Sequence, residues 1–200
     1  MTQHATTAHV PEQAIRPWAE CWQVVRGAST LTFSLRHIVF QQISGHFRRW
    51  GGRLILDREE PSRSQVTAWI DLASIETGSQ ERDDHVRSEE FFDVARFPLA
   101  KFRSETIDAS DLKRIVVSGG LQMHGVTRPI DLAVTPGPIS QHGDLVRASY
   151  EGRAWIDRQS FGLHWNQDLD AGGFVVGDRV GISAHIAAVR VPMGFQQSFH

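Results

Sequence analysis

The chain has 200 residues, 40% hydrophobic and 22% charged, with a formal net charge of −2 and one cysteine. That is an ordinary globular composition; it offers no electrostatic footprint for nucleic acid and no pull toward an anionic membrane surface. The single thiol, Cys21, excludes an internal disulfide and reads as an incidental, partly buried group.

Residues 1–20 are polar, carry Pro11 and Pro17, and read as a loose arm whose end Trp18 and Trp22 pin to the folded body. They lack the basic-then-apolar pattern of a secretory leader. No apolar run is long enough to cross a bilayer. The expected location is therefore cytoplasmic, without stable membrane insertion. Residues 21–191 read as one domain and 192–200 as a tail.

The first strong pattern is Thr30-Leu31-Thr32-Phe33-Ser34-Leu35-Arg36-His37, apolar at odd positions until His37 and polar at even ones. This is period-two alternation, a strand with one buried face, starting near Trp22 and bending at Gly27. A second strand is expected over 45–57, with a bulge or tight bend at Gly51-Gly52. A third covers 65–72, with Val66, Ala68 and Ile70 on one face.

The stretch that follows breaks the run. Between Gln80 and Phe92 charge is dense, Val86 is the one β-branched residue, and neither Gly nor Pro occurs. That favours a short helix over about 80–92, capped by Ser79, with Glu81, Asp83 and Asp84 near its positive end. Arg82, Asp83, Arg87 and Asp93 either tie this helix to the sheet through ion pairs or are solvated surface groups. Its aromatic end, Phe91, Phe92 and beyond it Phe97, should close one end of a barrel.

A fourth strand (101–107) puts Phe102, Ser104 and Thr106 on one face; a fifth covers 114–123. His124-Gly125 reads as a hairpin turn. A sixth strand carries Ile130, Leu132 and Val134 inward and ends at Pro136-Gly137-Pro138. The seventh is the clearest: Val146, Ala148, Tyr150, Gly152, Ala154 and Ile156 alternate with Arg147, Ser149, Glu151, Arg153, Trp155 and Asp157. After a long glycine-rich connection, the eighth strand (178–189) places Val180, Ile182, Ala184, Ile186 and Ala188 on one face. Eight antiparallel strands joined mostly by short turns predict an all-β, lipocalin-like barrel whose interior is filled by side chains or holds one slender ligand. Small inward residues such as Ala68, Gly152 and Ala154 favour a lumen.

Chemistry-bearing motifs are sparse. His37, His46, His85, His124, His164 and His185 are scattered without metal-ligand spacing. There is no Gly-x-Ser-x-Gly elbow and no phosphate-cradling loop. The expectation is no catalytic residue, no metal and no covalent cofactor, so not an enzyme; a small hydrolase working in the same cavity is the alternative reading.

Six motifs in order carry a family resemblance. They are Phe33-Ser34-Leu35-Arg36-His37; Ser44-Gly45-His46-Phe47; the paired blocks at 74–78 (Ser-Ile-Glu-Thr-Gly) and 82–93 (Arg-Asp-Asp-His-Val-Arg-Ser-Glu-Glu-Phe-Phe-Asp); Phe97-Pro98 with Phe102-Arg103-Ser104; Gly125-Val126-Thr127-Arg128-Pro129; and Asp157-Arg158 with Phe161-Gly162-Leu163. Over about residues 22–189 the chain resembles the YceI-like family of lipid-binding barrels. The run Leu163-His164-Trp165-Asn166 looks like the cytoplasmic-type members, and Ala28-Ser29 stands where exported members commonly carry His-Ser.

The resemblance implies a long apolar lumen holding a polyisoprenoid, an isoprenoid quinone or a fatty-acid-like chain for transport, storage or sequestration. No nucleic acid is implied, and a homodimer is compatible with the pattern. About a dozen buried methylenes, each contributing about 0.8 kcal/mol, are enough for roughly micromolar binding after association costs. Strand parity and resemblance together assign ligand contacts to Leu31, Phe33, Leu35, His37 and Phe47; to Val66, Ala68, Ile70, Phe91, Phe92 and Phe102; to Leu121, Leu132, Tyr150, Ala154 and Ile156; and to Phe161, Trp165, Val180, Ile182 and Ile186. His37 has two open roles, a core histidine bonded to a polar neighbour or a hydrogen bond to the ligand head.

Overall fold

The computed structural model describes residues 19–37, 42–165 and 176–192, and of 36, 37 and 176 the backbone alone. Most of the arm expected over 1–20, most of the tail expected over 192–200, and the His37 side chain lie outside the described residues. Within them the strands are β1 (Glu20–Val24), β2 (Thr30–His37), β3 (Gln42–Phe47), β4 (Trp50–Leu56), β5 (Gln65–Asp71), β6 (Ile75–Glu76), β7 (Leu99–Asp108), β8 (Ile115–Met123), β9 (Val126–His142), β10 (Leu145–Asp157) and β11 (Val176–Val191). One α-helix, α1 (Gln80–Arg87), lies between β6 and β7.

The order β1-β4-β5-β7-β8-β9-β10-β11, with β1 pairing back onto β11, is a closed eight-stranded antiparallel barrel. β2, β3 and β6 prolong that wall at the α1 end: β2 runs beside β11, β3 beside β2, and β6 beside β3. The eleven pieces are thus eight long strands, three of them interrupted. A 3₁₀ turn at Arg26–Ala28 divides β1 from β2, near the bend expected at Gly27. Another at Leu72–Ser74 divides β5 from β6.

Side-chain alternation follows the pleat as the sequence predicts. In β10, Val146, Ala148 and Ala154 are buried while Arg147, Arg153 and Trp155 are exposed. Gly45 shows why one motif glycine stands where it does. A Cβ there would lie 2.5 Å from the Glu76 carbonyl oxygen and 2.6 Å from the Phe33 ring. The missing side chain lets Phe33 lie across β3 toward Phe47, ring centroids 5.6 Å apart.

Four expectations need correction. No bulge occurs at Gly51-Gly52; β4 pairs with β5 in unbroken register from Trp50↔Ile70 to Ile55↔Gln65, and the strand breaks instead between Phe47 and Trp50. Thr106 does not share the inward face of Phe102: the register shifts between Ser104 and Thr106, and Ile107 turns in at 9% exposure. Gly119 faces that bulge, where a Cβ would lie 2.7 Å from Ser104 Cα. β9 does not stop at Pro136-Gly137-Pro138 but runs on to His142, its register shifting opposite Ser149 so that the N–H-less prolines cost few ladder bonds. The helix ends at Arg87, where the Ser88 amide donates to the His85 carbonyl; Phe91 and Phe92 sit in the turns that follow.

Candidate functional site: an apolar lumen capped by a helix

The inward faces enclose a cavity of about 960 Å³ running the length of the barrel. This is the upper end of the range for small-molecule sites. Every residue assigned to the ligand from the sequence lines it, apart from Phe161 and the undescribed side chain of His37. Phe161 is a correction: at 1% exposure it belongs to the packed core, and its carbonyl oxygen meets His124 Nδ1 at 3.1 Å. It lies on the 3₁₀ turn Arg158–Phe161 beyond β10, where strand parity no longer applies.

Other lining residues were not singled out. Ile130 and Val134 share the parity of Leu132, and Val117 and Met123 that of Leu121, so the signal for them was present. Trp50 and Leu54 were obscured by the bulge expected at Gly51-Gly52, and Ile107 by the bulge that does occur. His85 lines the cavity from α1, a position that strand periodicity cannot reach.

The α1 end is held by directed bonds rather than by the ion pairs expected. Asp83, 6% exposed, accepts from the Thr77 backbone N–H at 2.9 Å and its hydroxyl at 2.6 Å. Arg82 donates to the Thr77 hydroxyl and carbonyl at 2.8 and 2.7 Å. Arg87 donates to the carbonyls of Ala73 and Ile75 at 2.9 and 2.7 Å. Two arginines and an aspartate thus satisfy backbone groups around β6, where a two-residue strand leaves few ladder bonds. Asp93 pairs with Arg96 at 3.8 Å, not with the barrel wall. Phe91 and Phe92 meet edge to face at 5.2 Å beneath the helix and line the cavity.

Arg158 plays a matching part across the opening. Its side chain is 2% exposed and donates to the carbonyls of Leu163, Trp165 and Gly177, and pairs with Asp178 at 2.9 Å. These bonds tie both ends of the β10–β11 connection and place Trp165 on the lumen. The indole lies 4.4 Å from the His85 ring.

At the opposite end Trp22, Val146, Ala148 and Ala188 form a second buried cluster. Glu20 secures the seam, accepting from Trp22 Nε1 at 3.2 Å, Arg58 Nε at 2.9 Å and Arg190 at 3.0 Å. Burial pushes its carboxyl up, but the hydrogen bonds from Arg58 and Arg190 outweigh this and hold it below the usual carboxylate value. The Tyr150 hydroxyl, inside the same end, is pushed up chiefly by burial. Pro61, Ala109 and Leu112 line the cavity here together with Asp57 and Arg58, and Leu112 is 65% exposed, so apolar and charged groups share this end of the lining. At the α1 end the exposed lining residue is Glu81, beside Arg82.

Among the described residues, no group of three His, Cys, Asp or Glu side chains is placed to hold a metal ion. None of their helices is long and apolar enough to cross a membrane.

Comparison with known proteins places the chain. The YceI-like domain matches residues 22–188. A UPF0312 protein of Pseudomonas syringae pv. tomato is 33% identical over 132 residues, covering 66% of this chain and 69% of that one. Among solved structures, BcnA of Burkholderia cenocepacia superposes with a TM-score of 0.70 at 22% identity, covering 82% of this chain and 98% of its own. A polyisoprenoid binding domain from Saccharophagus degradans gives 0.63 at 18% identity, covering 86% and 98%. With a family match over most of its length and the family's barrel as its fold, the chain belongs to the YceI-like family.

Proposed function

We propose that this protein binds one long-chain apolar lipid, a polyisoprenoid, isoprenoid quinone or fatty-acid-like chain, in the barrel lumen, and carries, stores or sequesters it without transforming it. The observation that carries this is the cavity of about 960 Å³ bounded by inward Leu, Ile, Val and Phe side chains from every strand of the ring. Burial of the chain's own carbon is a sufficient driving force, at about 0.8 kcal/mol per methylene. The similarity to a polyisoprenoid binding domain supports the same reading.

The end at Pro61, Ala109 and Leu112 is the uptake route this reading favours, since Leu112 offers an entering alkyl chain an exposed apolar contact and Arg58 beside it is already paired with Glu20. Extraction of the purified protein with organic solvent, followed by mass spectrometry, tests the proposal together with titration of the delipidated protein by polyprenols and quinones. A co-purifying chain of defined mass, or saturable one-to-one binding, is expected. Clean apoprotein that takes up none of these lipids would overturn it.

A further inference from the structure

Among the described residues, a single buried side-chain nitrogen or oxygen has no hydrogen-bond partner, His85 Nε2. Leaving such an atom unpaired costs folding free energy, so the few found in native proteins call for an explanation. His85 lies on α1 and lines the cavity. Its other ring nitrogen, Nδ1, faces Glu90 Oε2 at 3.4 Å. A carboxylate at that nitrogen favours the tautomer with the proton on Nδ1, which leaves Nε2 as a bare acceptor.

Resting on the reading of the lumen as a lipid site, we propose that the ligand carries a neutral hydroxyl head, as in an isoprenoid alcohol or a prenylated phenol, and that this hydroxyl donates to His85 Nε2 at the α1 end. The surrounding charges point the same way. Two Arg82 donors are committed to Thr77, at 2.8 and 2.7 Å, and Glu81 stands on the same lining, so Arg82 and Glu81 offset one another in charge here. A neutral hydroxyl is also a head that can pass along an apolar lumen at modest desolvation cost, whereas a diphosphate is not. Nε2 is sealed from water and the Trp165 ring packs on the imidazole, centroids 4.4 Å apart. The Trp165 carbonyl is held by Arg158 at 3.1 Å, so a hydroxyl reaching Nε2 would displace the indole ring and not the backbone that carries it.

The test uses the full chain and three probes: an all-trans polyprenol, its deoxy hydrocarbon and its diphosphate. The wild-type protein should bind the alcohol roughly two- to tenfold more tightly than the hydrocarbon, the span expected of one net hydrogen bond. His85→Phe, which keeps a ring against Trp165, should lose that preference, the ratio of alcohol to hydrocarbon affinity falling to about one. His85→Gln, which restores an acceptor, should recover part of it. In the unmutated protein the ¹⁵N resonance of His85 Nε2 should move on addition of the alcohol and stay still with the hydrocarbon. The proposal is overturned if the His85→Phe protein keeps the preference, if the resonance does not move, or if the diphosphate is the tightest ligand. Wild-type protein that binds all three chains equally overturns the head-group assignment but leaves the lipid reading standing. Failure to bind any of them overturns both.

Discussion

The two ends of the barrel are closed by different physics. At the α1 end, Arg82, Asp83 and Arg87 saturate backbone groups around a two-residue strand, and Arg158 does the same for the facing connection. At the far end, Trp22 and small residues plug part of the opening by apolar packing, one partly exposed carboxylate holds the seam, and Leu112 stands in solvent. Directed bonds set one geometry and fail abruptly when one member is lost; apolar packing tolerates displacement. The α1 end is therefore built as a fixed floor, and the Leu112 end is closed by contacts that tolerate displacement.

The largest expected effect removes the lumen that the two ends share. Ala154→Glu places an unpaired charge where the native side chain is 4% exposed, and should abolish lipid binding by the folded protein, seen as loss of saturable uptake with native circular dichroism. Normal binding would mean that β10 parity does not govern ligand contact.

Next comes the rigidity of the floor. Asp83→Ala strands the Thr77 amide and hydroxyl and should lower stability by about 1–3 kcal/mol in urea unfolding. Gly45→Ala should cost about 1–3 kcal/mol by driving the Phe33 ring off β3. Neutral outcomes would place the floor among the tolerant surfaces.

The seam should respond less, and with pH. The Glu20 carboxyl is held below its ordinary value, so its contribution is present above the unfolded-state pKa and is lost as pH falls through the lower folded-state value. Glu20→Gln should therefore cost about 0.5–1 kcal/mol at neutral pH and nothing once the native carboxyl is protonated, measured as two stability curves converging in acid. At the rim, Leu112→Asp should slow lipid transfer from vesicles severalfold with equilibrium affinity unchanged; a change in affinity alone would contradict an uptake role.

Much of this molecule is legible in its residues because a pleated strand repeats every two positions. That periodicity alone puts Leu31, Phe33, Tyr150, Ala154 and Ile182 on the wall of the lumen. It fails where the backbone gains a residue. The extra position near Glu105 swaps Ile107 for Thr106 on the inner face, and the shift opposite Ser149 lets β9 run through two prolines. A bulge depends on what crosses from the neighbouring strand, here Gly119 for the first, and no local pattern contains that partner.

The helix divides in the same way. Its start at Ser79 follows from local capping chemistry, and its charged residues declare that something must be held. Its end at Arg87 does not, because that depends on where the following turns lodge Phe91 and Phe92. Nor does the sequence say that the charges would seek carbonyl oxygens rather than one another. By itself the chain determined its class, its strand faces and the apolar character of its interior, since these rest on short-range alternation and composition. Only the closed barrel decided how each end is closed, and that His85 stands on the lumen with an unpaired nitrogen, since these follow from groups brought together across the ring.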